Sequence, residues 1–93
     1  MKTIEIIEKE LIADLRFSLR EVLTDSEAIK VRERNLHRAQ TLGNLLRHKV
    51  KITFETADQK IYQVNTTVWA VGNRFVQLKR GLFIPISSIY EVD

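Results

Sequence analysis

The chain has 93 residues, of which 44% are hydrophobic and 29% charged, enough apolar material to bury one core but not two. It has no cysteine and only one proline, which excludes disulfide-stapled and Pro-rich classes and any thiolate zinc site. No stretch approaches the roughly 18 apolar residues of a membrane span, so no membrane partner is expected. Glu5, Glu8, Glu10 and Asp14 near the start are foreign to a secretory signal, so a cytoplasmic protein is expected.

The net charge of +3 is unevenly spread. Residues 1–29 carry four basic and seven acidic residues, residues 30–51 seven and one, and residues 52–93 four and four. An acidic start beside a basic middle points to an anionic partner, or to two helical segments attracting each other.

In chain order, Ile4, Ile7, Leu11, Leu15, Leu19 and Val22 recur at steps of three and four, which predicts a helix over about 3–23. Its apolar stripe is wide for one small neighbour, so these six residues are the candidate interface of a homo-oligomer. Thr24 and Glu27 fit a capping box, and a second helix is predicted over about 25–47. Ile29, Leu36, Ala39, Gly43 and Leu46 lie on one side of it, flanked by Val31, Leu42 and Leu45. Ala39 and Gly43 open a flat spot for close approach of another backbone; Gly43 equally suits a helix end. The expected organisation is a helical segment over 1–47 and a β unit over 48–93.

After His48 the period falls to two. Val50, Ile52 and Phe54 alternate with Lys49, Lys51 and Glu55. A polar turn follows at Ala57–Lys60, then a long strand over 61–71. Gly72-Asn73 suits a two-residue hairpin and Lys79-Arg80-Gly81 a three-residue one. Leu82–Ile86 and Ile89–Val92 complete five strands. With those turns Trp69, Val71, Val76, Leu78, Leu82, Ile84 and Ile86 share the inner face, while Val68, Phe75 and Phe83 lie outside. The fold class expected is α+β: two N-terminal helices capping a five-stranded antiparallel small barrel.

Leu78-Lys79-Arg80-Gly81-Leu82-Phe83-Ile84 resembles the second motif of Sm-like proteins, and Ile84-Pro85-Ile86-Ser87-Ser88-Ile89 is similar to the strand, one-turn helix, strand ending of many SH3-like barrels. A helix entering the first strand through Leu45, Leu46 and Val50 is also Sm-like. The resemblance covers about residues 40–93 and implies an SH3/Sm-like barrel. Asn65-Thr66-Thr67-Val68-Trp69 does not reproduce the Sm first motif, and the long front end departs from the family.

Catalytic chemistry finds little footing. His37 and His48 would sit about 16 Å apart on a continuous helix, too far to share a metal. Glu33 and His37 at four-residue spacing read as a surface pair. Ser87-Ser88 has no base placed near it, and no glycine-rich phosphate loop occurs. No enzyme activity, metal or cofactor is expected.

The basic middle is the strongest functional signal. Lys30, Arg34 and Arg38 follow at four-residue steps along one side of the second helix, and Arg47, Lys49 and Lys51 continue the charge into the first strand. Such a stripe neutralises phosphates without reading sequence, while a solvated face, or one paired with Glu8, Asp14 and Glu21, is the plainer alternative. Phe75 and Phe83, with Lys79 and Arg80 nearby in sequence, are candidates for stacking bases. The expected function is therefore a self-associating binding module for an anionic partner such as RNA or DNA. The alternative is a protein–protein adaptor using the N-terminal helix and the outer Phe75/Phe83 face.

Overall fold

A computed structural model describes residues 3–93; Met1 and Lys2, the start of the expected helical segment, lie outside them. The run Ile4-Glu5-Ile6-Ile7 is rich in β-branched residues, which favour extended backbone. It forms strand β1 (Ile4–Ile7), followed by a 3-10 turn at Lys9–Asp14 and then extended chain. The helix expected over 3–23 is therefore corrected. Its apolar residues do not form one stripe, because β1 adds in parallel to β3 (Ile61–Thr66), pairing Ile4 with Ile61 and Ile7 with Val64. Ile12, from the 3-10 turn, is fully buried in the core.

One long helix, α1 (Ser26–Leu46), follows, close to the range expected. Its N-cap is Asp25 rather than Thr24: the Asp25 carboxylate accepts the Glu27 N–H at 3.2 Å, the shorter reach an Asp side chain makes well. Arg32, Leu36, Ala39 and Gly43 form its buried stripe. Gly43 answers the question its sequence left open. A β-carbon there would lie 2.3 Å from the Val68 carbonyl oxygen, so the helix backbone rests directly on β4 (Val68–Val71). The Gln40 side-chain oxygen fixes the same contact by accepting the Val71 N–H at 2.6 Å.

The remaining strands are β2 (Val50–Glu55), β5 (Phe75–Leu78), β6 (Phe83–Pro85) and β7 (Ile89–Val92). They form a four-stranded sheet in the order β1-β3-β2-β7 and a three-stranded sheet in the order β4-β5-β6. The five-stranded closed barrel is thus corrected to seven strands in two sheets, without closure among the described residues. The run 61–71 is the cause: it breaks at Thr67, so its halves pair in different sheets. β1, expected as helix, occupies the free edge of β3. The expected ending does occur, as β6, a 3-10 turn at Ile86–Ser88 and β7.

Two further expectations about the hairpins change. β4 pairs Val68 with Leu78 but Ala70 with Gln77, so Trp69 is the extra residue of a bulge. Trp69 is consequently 40% exposed and Val68 fully buried, the reverse of the even alternation. Gly72 donates to the Phe75 carbonyl at 2.9 Å, which moves the two-residue turn to Asn73-Arg74. The second hairpin is as expected, with Gly81 at φ +72°. The core between the sheets and α1 contains Ile52, Phe54, Val64, Val76, Leu78, Ile84 and Ile89, with Phe17 tilted on Phe54 at 5.3 Å between ring centroids.

Candidate anion-binding face

The buried stripe of α1 fixes what its opposite side shows. With Arg32, Leu36, Ala39 and Gly43 turned inward, residues about half a turn away face water. Lys30, Arg34 and Arg38 are those residues, and all three are exposed. Four-residue steps space them about 6 Å apart along the axis. Arg47 caps the helix in the left-handed region at φ 53°, and its N–H bonds the Gly43 carbonyl at 2.9 Å. Lys51 stands exposed between buried Val50 and Ile52 on β2, and Lys49, also exposed, immediately precedes the strand.

The carboxylates that were candidates to neutralise this face do not do so. Glu21 is taken by Arg32, which donates from Nη2 to Oε1 at 2.6 Å and from Nη1 to Oε2 at 2.7 Å. Arg32 Nη1 also donates to the Ile89 carbonyl at 2.9 Å, which ties α1 to β7. This guanidinium, with the hydrogen bond it donates, holds the Glu21 carboxyl below the ordinary carboxylate value. Glu8 and Asp14 lie at the 3-10 turn and form no ion pair with α1 among the described residues. Lys30 has only a loose contact with Glu27, at 3.9 Å between two exposed groups. Arg34, Arg38, Arg47, Lys49 and Lys51 have no ion pair among the described residues.

A shallow cavity of about 230 Å³ borders the stripe at Arg38, with Asn35, Leu42, His48, Val50 and Asp93 around it. Among the described residues no group of three or more His, Cys, Asp or Glu side chains is placed to hold a metal ion. No helix among them is long and apolar enough to cross a membrane.

Phe75 and Phe83 are about half exposed and meet edge-on at 6.5 Å between centroids. They occupy the outer face of β5 and β6, as expected. Beside them, Leu19, Arg74, Phe75 and Pro85 border a groove of about 510 Å³. The six residues expected as one oligomer stripe are scattered: Val22 is buried, Ile7 and Leu15 pack partly against the core, and Ile4, Leu11 and Leu19 are exposed.

Two features escaped the sequence reading. Arg32 is buried although charged; its place four residues before Leu36, in step with Ala39 and Gly43, was the available signal. Glu55 falls in step with the outward Lys49 and Lys51 in the alternation but is fully buried. The extended segment around Phe17 and Ser18 covers it, with Ser18 N–H bonding the Glu55 carbonyl at 3.1 Å and Arg20 bonding its carboxylate at 2.9 Å. Comparison with protein-family models, curated proteins and solved structures gives no significant match.

Proposed function

We propose that the chain is a non-enzymatic binding module that engages a phosphate-bearing polyanion through Lys30, Arg34 and Arg38, with Arg47, Lys49 and Lys51 extending the field. The observation that carries this reading is that, among the described residues, Arg34, Arg38, Arg47, Lys49 and Lys51 have no ion pair and Lys30 has only its loose contact with Glu27. After Glu27 no acidic residue stands in line with Lys30, Arg34 and Arg38, whereas a solvated structural face interleaves both charge signs along its length. Contacts of this kind bind phosphate without sequence readout and weaken steeply with salt. RNA and DNA oligonucleotides are the first probes. A gel-shift series at low salt should show binding that the Arg34→Gln/Arg38→Gln double variant loses. No shift with either nucleic acid or with another polyanion such as heparin would overturn the reading.

The second reading is a protein–protein adaptor. It is supported by Leu19, 85% exposed, standing beside Phe75 at the edge of an open groove, so the N-terminal segment and the outer sheet face do come together. Self-association belongs to this reading, with Ile4 and Ile6 exposed on β1, an edge strand. Light scattering at micromolar concentration tests it; a strict monomer contradicts it. The likeness to Sm-like and SH3-like proteins over about residues 40–93 is proposed as shared connectivity only, supported by the strand, 3-10 turn, strand ending.

A further inference from the structure

Helix α1 outruns the sheets it lies on. Its last anchored residue is Gly43, against Val68. Beyond it Leu45 and Leu46 are 75% and 71% exposed, although the helical pattern places Leu46 on the buried side. Among the described residues nothing covers this end of the helix. The left-handed Arg47 then turns the chain at once toward β2, which leaves the two leucines at a tip. Adjacent in the chain, the two leucines make one small contiguous apolar patch at the tip.

The surroundings of the tip are cationic. Arg38 lies about two turns before Leu45 and so on the same side of α1. Arg47 follows the leucines directly and Lys49 two residues later. All three are exposed and form no ion pair among the described residues. Polynucleotide phosphates would engage these cations but leave both leucines in water, since stacking on bases calls for flat aromatic or guanidinium faces. A surface with anionic groups above an apolar layer satisfies both features together.

We propose that this tip docks on an anionic lipid surface. Leu45 and Leu46 enter the boundary between headgroups and acyl chains, and Arg38, Arg47 and Lys49 meet the lipid phosphates. The expectation of no membrane partner concerns a spanning stretch, which a docking tip does not need. This inference rests on the polyanion reading and names an anionic lipid bilayer as the surface that this tip engages.

Flotation of the full chain with phosphatidylserine–phosphatidylcholine vesicles tests it, with phosphatidylcholine vesicles and a single-stranded RNA as separate arms. The expected result is binding to the anionic vesicles alone among the two lipids. Leu45→Ser/Leu46→Ser should weaken that binding by about tenfold or more, from the loss of two inserted side chains, and leave RNA binding unchanged. Because the chain has no cysteine, Leu46→Cys carries an environment-sensitive dye at one position, and its emission should shift to the blue on anionic vesicles. Absence of vesicle binding, vesicle binding indifferent to the leucines, or an unshifted dye would overturn the proposal. RNA binding without vesicle binding sinks the lipid inference and leaves the polyanion reading standing, whereas binding to neither sinks both.

Discussion

Arg32 and Glu21 form a two-pronged ion pair in which the cation is almost wholly buried and the carboxylate about one-third exposed. The pair joins the extended N-terminal segment to α1, and the third Arg32 bond, to the Ile89 carbonyl, joins α1 to β7. A charge this deep is tolerated only while its partner stays. Glu21→Gln should therefore destabilise the fold by about 2 kcal/mol, below the range for fully buried pairs because Glu21 is partly solvated. Urea unfolding measures it, and a loss within about 0.5 kcal/mol of zero would contradict the role assigned to the pair.

The same pair sets a pH dependence. The Glu21 carboxyl is held below its ordinary value of 4.5 by Arg32, so the folded state binds this proton more weakly than the unfolded chain does. Its contribution is fully present above about pH 4.5 and is lost as pH falls through the lower folded value. The stability difference between wild type and Glu21→Gln should therefore shrink as pH falls from about 6 to about 3. A difference that holds constant over that range contradicts the assignment.

At Gly43 the backbone of the helix comes close to that of β4. Gly43→Ala gains about 1 kcal/mol of helix propensity, but the added carbon would lie 2.3 Å from a backbone oxygen that cannot swing away. The collision dominates, and a net loss of about 1–3 kcal/mol is expected in thermal or urea unfolding. A stabilised Gly43→Ala variant would show that α1 does not lie this close to β4.

The N-terminal strand makes its own prediction. Amide hydrogens in Ile4–Ile7 that bond to β3 should exchange slowly. Ile12→Ala, which empties a fully buried site, should cost about 2–5 kcal/mol. Helical chemical shifts across residues 4–14, or a negligible cost at Ile12, would restore the helix that the apolar spacing suggests.

The sequence showed α1 nearly to its ends because a charged face and an apolar stripe agree there, although the cap is Asp25 and not Thr24. It also showed β2, β5, β6, β7 and the outward Phe75 and Phe83, where period-two alternation is clean. It misled in the first 23 residues, where Ile4, Ile7, Leu11 and Leu15 satisfy helical spacing while Ile4-Glu5-Ile6 also alternates as a strand. Only tertiary pairing with Ile61–Val64 decides between the two. Trp69 misled for another reason, since a one-residue bulge is invisible to alternation yet exchanges the faces of Val68 and Trp69. On the candidate site, exposure of Lys30, Arg34 and Arg38 was readable from the pattern. The diversion of Glu21 to Arg32 was not, because it depends on where the extended segment crosses the helix.

The salt dependence of polyanion binding tests the central claim most directly. With a fluorescent single-stranded oligonucleotide, the slope of log K against log salt should be steep for the wild type. Arg34→Gln/Arg38→Gln should reduce it by about 1.4, or about 0.7 for each lost phosphate contact. An unchanged slope in that variant, with the fold intact, would contradict the assignment of the outer face of α1 as the anion-binding surface.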